Sequence, residues 1–260
     1  MNGKRTLGFL VIVWGILMSI PMSSGSRAKD FRVGYFQVSP HVMRDRNGEA
    51  KGLAVDYFLR IAEKMGLSDT RFKWLPLQRL VGALQHNQVD MALLLARNPE
   101  REAVFVYPRQ PFCRARPGIA VPAAHGIETI ESIDPLLTLS IQVSAGAYRS
   151  AFIQDPRIHL EPMHGDDYTP RCFLKLRRNR IDGCYQPDHY ALLFEANKST
   201  YRSRIRILTL PEPPIGLYSV FSRKSAASYL QSYEAALAEV VREISYEDLF
   251  RELIQRNAPE

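Results

Sequence analysis

Residues 71–102 read RFKWLPLQRLVGALQHNQVDMALLLARNPERE. Arg71 to Leu75 is a strand-length run, and Pro76 suits the first turn of a helix. Leu77, Leu80, Val81 and Leu84 then recur at helical spacing and give that helix one apolar face. Val89 to Leu95 (VDMALLL) has the length and composition of a buried strand. Strand, helix and buried strand in succession predict an α/β layer with largely parallel strands.

The same grammar extends in both directions. Upstream, Phe31 to Phe36 (FRVGYF) reads as a strand. Gly52 to Met65 reads as a helix whose face carries Leu53, Val55, Phe58, Leu59, Ala62 and Met65, with Gly66 placed as its C-terminal cap. Downstream the pattern restarts. Leu137 to Val143, Ile158 to Glu161 and Ile181 to Tyr185 read as strands, and Gly146 to Ile153, Tyr168 to Arg178 and Asp188 to Ala196 as helices. Pro108 to Pro122, rich in Pro and Arg, lies between the two blocks, and Pro211 to Pro214 follows the second. Two such connections are what one lobe inserted into another needs. The expected division is residues 29–112 with 216–260 as one lobe and 113–215 as the other. The C-terminus predicts an amphipathic helix pair: a stripe from Leu230 to Ile244, then a capping-box pattern at Ser245 and Asp248 ahead of Leu249, Phe250, Leu253 and Ile254.

The N-terminus has the three parts of a secretory signal: basic Lys4 and Arg5, an uncharged run from Thr6 to Ile20, and small residues up to Ala28. The run is short for a membrane span. Residues 1–28 are therefore expected to be removed, with cleavage after Ala28 or near Ser24, and the mature protein to be periplasmic; an uncleaved anchor is the alternative reading. No Cys stands near the cleavage region for a lipid anchor, and no later segment is apolar enough to span a bilayer.

With 46% hydrophobic and 23% charged residues, the chain has material for a sizeable core. The formal charge of +7 falls to +4 once Lys4, Arg5 and Arg27 are removed. No nucleic-acid motif accompanies the short basic groups, so nucleic acid is not an expected partner. Three cysteines, Cys113, Cys172 and Cys184, leave two readings: a Cys172–Cys184 bridge with one thiol over, or three small buried hydrophobes. The spacings do not make a zinc site. No Gly-x-Ser-x-Gly, His-Glu-x-x-His, phosphate loop or nucleophile dyad is present, so no catalytic residue, metal or cofactor is expected.

Three stretches, in order, carry a resemblance: FRVGYFQVSPHV with NGEAKGLAVDYFLRIAEKMG; WLPLQRLVGALQHNQVDMALLLARNPERE; and LRRNRIDGCYQPDHYALLFEAN. They resemble the bacterial extracellular solute-binding proteins of family 3, the amino-acid-binding type. Pro40, Gly48, Gly52 and Asp56 match the family's opening pocket loop, Gly-x-x-x-Gly turn and first helix. The resemblance implies a two-lobed, type II periplasmic-binding-protein fold, each lobe a mixed sheet flanked by helices, with two hinge crossovers and a ligand captured between the lobes. It implies a monomer that hands a solute to a membrane ABC permease.

The resemblance also implies site residues. Arg101, after Pro99 and Glu100, stands where the family's carboxylate-binding Arg lies, and a guanidinium matches a carboxylate with two parallel donors. The competing reading of Arg101 is a surface residue paired with Glu100 or Glu102. Tyr35 and Phe36 border the pocket loop with His41, but strand alternation sends the two aromatics to opposite faces, so they cannot line the cleft in the same way. Gln78 and Arg79 start the Pro76 helix and read equally well as cleft or solvent residues. In the second lobe, Gly146 and Ala147 open an expected helix whose free N–H groups could face an anion. Where amino-acid binders commonly carry hydroxyls, this chain has Leu94, Leu95 and Ala96, and Leu94 and Ala96 join the expected ligand contacts. Those binders also place an Asp five residues after the Arg-Ile-Asp aspartate, to meet the ligand ammonium. From Asp182 that position is Pro187, with Asp188 one residue late. Asp188 is the expected acid, with Asp166 and Asp167 as alternatives.

The function this predicts is capture of a small carboxylate-bearing ligand, an amino acid or a related organic acid, without catalysis. Two alternatives stand beside it: a small-acid dehydratase on the same fold, with its general acid among His41, His164, Asp188 and His189, and a sensor or accessory protein without tight solute binding.

Overall fold

The computed structural model describes residues 30–256, so the expected signal segment lies outside the described residues. In chain order the first part contains β1 (Phe31–Tyr35), β2 (Met43–Arg44), β3 (Ala50–Lys51), α1 (Leu53–Lys64), β4 (Thr70–Trp74), α2 (Leu77–Gln85), β5 (Met91–Ala96) and α3 (Pro99–Glu102). Next come β6 (Cys113–Ala115), β7 (Gly118–Pro122), β8 (Ser140–Ser144), β9 (His159–Met163), α4 (Tyr168–Arg177), β10 (Gly183–Gln186), α5 (His189–Ala196) and β11 (Ile205–Thr209). The chain closes with β12 (Ile215–Phe221), α6 (Arg223–Glu243) and α7 (Tyr246–Arg256).

These elements build two five-stranded sheets, ordered β4-β1-β5-β12-β6 and β11-β7-β10-β8-β9. In the first, β1 pairs in parallel with β4 and β5, while β12 runs antiparallel to β5 and β6. In the second, β8 pairs in parallel with β9 and β10, while β7 runs antiparallel to β10 and β11. The antiparallel strands are the ones next to the crossings, from β6 into β7 and from β11 into β12. Each sheet is thus a parallel strand–helix unit extended by chain passing to or from the other lobe.

Burial follows from this plan. All six residues of β5 are buried, because the strand is paired on both edges and packed on both faces. One face meets α1 and α6 through Phe58, Ile61, Leu237 and Val240, and the other meets α2 through Leu80 and Leu84. The second sheet is packed likewise, with Phe173 and Leu192 on one side and Leu136 and Ile153 on the other. Cys172 and Cys184 form a disulfide joining α4 to β10, with Cα atoms 6.0 Å apart, and Cys113 is a buried free thiol.

The expected elements differ from these in three places. Gly146 to Ile153 is irregular chain between two turns, not a helix. Gly146 takes φ +78°, and Ser150 is drawn to the Tyr185 hydroxyl through its N–H, so local turn bonding replaces a helical ladder. The strands β6, β7, β11 and β12 were hidden in stretches that read as Pro- and Arg-rich connections or carried no assignment. The β2–β3 hairpin was missed as well. By contrast, the Ser245–Asp248 box is present: Ser245 Oγ accepts from the Asp248 N–H at 3.1 Å and bonds its carboxylate at 2.6 Å.

Candidate ligand site between the lobes

A cavity of about 140 Å³ opens between the two sheets. Its walls come from the C-terminal ends of all six parallel strands: Phe36 after β1, Gln78 beyond β4, Leu94 on β5, Ser144 on β8, Asp166 beyond β9 and Gln186 on β10. Backbone ends and helix starts converge there, as they do at ligand sites in open α/β sheets.

The first-lobe wall is held by α1. The first N–H groups of a helix lack partners inside it. Here the Leu53 N–H donates to the Pro40 carbonyl at 3.2 Å and the Ala54 N–H to the His41 carbonyl at 2.9 Å. Gly52 caps the helix at φ +121°, and a Cβ there would stand 2.5 Å from the His41 oxygen. The pocket loop is thereby stitched to the helix start, which fixes His41 in the interior.

Arg101 lies on α3, whose start is capped by Asn98 accepting from the Arg101 N–H at 2.8 Å. Its side chain is turned inward and is 9% exposed. Nη1 donates to the Ala96 carbonyl at 3.0 Å, and Nη2 donates across the gap to the Gly146 carbonyl at 3.2 Å. The surface-residue reading fails on this geometry. Glu102 pairs instead with Arg97 at 3.1 Å, and among the described residues no carboxylate stands within ion-pair distance of Arg101. Burial pulls the Arg101 guanidinium below its ordinary value, with Tyr107 and Glu100 opposing the shift. It remains a cation, because guanidinium does not deprotonate in proteins.

Of the other expected contacts, Phe36, Leu94, Ala96, Ala147 and Asp188 line the cavity. Tyr35 does not. It is 2% exposed, on the opposite face of β1, edge-on to Phe72 in the core. Gly146 and Ala147 offer no helix N-terminus. Gly146 presents its carbonyl to Arg101, and the Ala147 N–H is bonded to Ser144 at 3.2 Å. Of the two donors expected at this turn, the Ala147 N–H is thus committed to the backbone, and Gly146 turns its carbonyl to Arg101. Leu94 sits at φ +61°, an uncommon conformation for a bulky side chain, close to the register shift between β5 and β12. Gln78 lines the cavity and packs on Gly146, while Arg79 stays exposed outside it.

Asp188 is 5% exposed and caps α5, accepting from the Tyr190 N–H at 3.0 Å through Oδ1. Its Oδ2 lies 2.6 Å from His41 Nε2, and His41 Nδ1 lies 2.5 Å from the Tyr246 hydroxyl. Burial pushes the Asp188 carboxyl up, but the His41 ring and its hydrogen bond, His189 and the Tyr190 N–H outweigh it and hold the group below the usual carboxylate range. Asp188 is therefore ionised at neutral pH, and His41 carries a proton on Nε2 in either charge state of the ring. The three groups come from the first-lobe loop, the second lobe and α7. Asp167 accepts from the Gln37 side chain, again across the gap. Sequence reading missed Tyr246 and the cleft-lining Tyr148, Gln186 and Leu217. Only the alternation of β12 could have flagged one of them, and that strand was not recognised.

Two α/β lobes, each with its strand ends facing a shared cleft and joined by two crossings, define the type II periplasmic-binding-protein fold. Solved structures agree. The chain superposes on an ancestral arginine-binding protein bound to arginine with a TM-score of 0.70 at 21% identity, over 86% of this chain and 97% of that one. It superposes on the GluR0 ligand-binding core from Nostoc punctiforme in complex with L-glutamate with a TM-score of 0.70 at 19% identity, over 85% and 98%. The ancestral amino acid-binding protein AncCDT-1, a precursor of cyclohexadienyl dehydratase, gives 0.71 at 17% identity, over 86% and 94%. At these identities the likeness shows the fold. No curated protein matches the sequence closely enough to add to it. The family model for bacterial extracellular solute-binding proteins, family 3, matches residues 31–255, and the chain belongs to that family.

Proposed function

We propose that this chain is a periplasmic solute-binding protein that captures a small carboxylate-bearing ligand, an amino acid or a related organic acid, between its lobes and delivers it as a monomer to an ABC-type permease. The expected division of residues 29–112 with 216–260 against 113–215, after removal of the 1–28 signal, moves by a few residues at each crossing, because Cys113–Ala115 and Ile215 pair within the first sheet. The observation that carries the reading is Arg101, a buried guanidinium on the cavity wall without a carboxylate partner among the described residues. A buried cation that donates to carbonyls and has no carboxylate within ion-pair distance among the described residues favours an arriving anion. The Cys172–Cys184 disulfide supports an oxidising compartment.

Isothermal titration against amino acids, dicarboxylates and aromatic acids tests this. Stoichiometric binding that disappears in Arg101→Ala is the expected result. Conversion of a ligand during the titration would instead favour a dehydratase-like activity, and silence across the panel an accessory or sensor role.

A further inference from the structure

We propose that the cleft selects a monocarboxylate with an apolar body and no α-ammonium group, because His41 already engages the carboxylate, Asp188, that would receive one. The inference deepens the reading of Arg101 as the anion anchor and rests on it.

An α-ammonium beside a bound carboxylate brings up to three N–H donors into a site closed to water, and each needs an acceptor. The acceptors around Arg101 are committed to the protein itself. The Ala96 carbonyl takes both Arg101 Nη1 at 3.0 Å and the Tyr107 hydroxyl at 3.1 Å. The Gly146 carbonyl takes Arg101 Nη2. Asp188 takes the Tyr190 N–H on one oxygen and His41 on the other, with the ring itself fully buried and backed by Tyr246. Asp167 holds Gln37. Asp166 stands half-exposed at the rim, where Arg171 donates to its backbone carbonyl at 3.2 Å and sets a positive charge beside it. Much of the near wall is hydrocarbon, from Phe36, Leu77, Leu94, Leu217 and the Tyr148 ring. Gln78, Ser144, Thr169 and Gln186 stand beside it as uncharged polar side chains. No hydroxyl side chain stands at the end of β5, where Leu94, Leu95 and Ala96 face the cavity. A guanidinium amid carbonyls and carboxylates that already take protein donors, against largely apolar walls, suits a carboxylate with a hydrocarbon tail.

The test is titration of the purified full chain with matched pairs, 3-phenylpropionate against L-phenylalanine and 4-methylpentanoate against L-leucine, in the natural sequence, Arg101→Ala and Asp188→Asn. Asn keeps the α5 cap. The expected result is that the acid without nitrogen binds at least about tenfold more tightly than its amino-acid partner. Asp188→Asn should leave that ratio within about threefold of its starting value. An amino acid that binds as tightly as its partner, with Arg101 still required, overturns this proposal and leaves the carboxylate reading standing. A ratio that shifts in Asp188→Asn through selective loss of the amino acid also overturns it. Absence of binding by every pair, or binding indifferent to Arg101→Ala, removes the carboxylate reading and this proposal together.

Discussion

Arg101 Nη2 donates to the Gly146 carbonyl at 3.2 Å, so one side chain of the first lobe touches the backbone of the second inside the cleft. On the proposed function the same guanidinium would also hold an arriving carboxylate, so capture and lobe contact would be two uses of one group. Arg101→Ala should weaken binding of an acidic ligand by about 30-fold or more, as loss of one partner of a buried charge pair does. The cost to folding should be only about 1–2 kcal/mol, because the Ala96 carbonyl keeps its bond from Tyr107. Arg101→Lys retains the charge without the fork and should fall between. Titration with urea unfolding on the same samples separates the two effects, and a variant that loses stability but keeps affinity would remove Arg101 from the site.

Gly52 predicts a second, purely steric result. At φ +121° any Cβ is strained, and here it would meet the His41 and Pro40 carbonyls at 2.5 and 2.6 Å. Both carbonyls accept the first N–H groups of α1, so the loop cannot retreat without breaking those bonds. Gly52→Ala should therefore cost about 2 kcal/mol or more and lower affinity by displacing His41. A change in urea midpoint with an unchanged slope would show it.

The two-lobed plan was legible because its parallel strand–helix units carry strong local periodicity, as in residues 71–102. The resemblance, through Pro99 and Glu100, pointed to Arg101, and the fold places that residue on the cavity wall. The crossing strands were not legible, since β6 is only three residues long and both β6 and β7 stand among Pro and Arg residues that read as linker. Tyr35 and Phe36 show the limit of alternation: it says that the two part company, not which one faces the cleft. The partnership of His41, Asp188 and Tyr246 spans separations of 147 and 205 residues, and no local pattern encodes it. The turn at Gly146 was misread because a Gly followed by apolar residues suits a helix start as well as a tight turn.

The Tyr246 hydroxyl gives a third prediction. The ring is 3% exposed and its hydroxyl bonds only His41 among the described residues. Tyr246→Phe leaves volume nearly unchanged but strips Nδ1 of its partner in a site without water access. The expected loss is about 1–3 kcal/mol of stability, read by thermal or urea unfolding. A neutral result would mean that the ring and hydroxyl do not act as one unit with Asp188.

Asp188 should contribute to the acid response, together with Asp155, Glu234 and Asp248, which are also held below the usual carboxylate range. The Asp188 carboxyl is held below the ordinary range in the folded chain, so the unfolded chain binds the proton more readily. That contribution to stability is present above the unfolded value, about pH 4, and is lost as pH falls through the lower folded value. Asp188→Asn should flatten the stability profile in that acid window, and it should also alter the profile nearer neutrality, because the Asp188 charge opposes the burial that lowers His189. Parallel urea titrations from pH 7 downward would check it, and an unaltered acid slope would assign the acid response to other carboxylates.

The disulfide supplies the last prediction. Cys172 sits on α4, whose first turn brings Tyr168 and Thr169 to the cavity, and Cys184 sits on β10, which leads to Gln186 and Asp188. The bridge closes a span of 12 residues. On the chain-entropy account that is about 3 kcal/mol of restraint on the unfolded chain, or about 6–12 °C in melting temperature for a protein of this size. The paired substitution Cys172→Ser with Cys184→Ser should lower the melting temperature by that order. It should also weaken ligand binding, because the helix start and the strand end that carry the second-lobe wall would lose their covalent tie. A drop in melting temperature with affinity untouched would mean that packing of Phe173 and Leu176 positions this wall without the bridge.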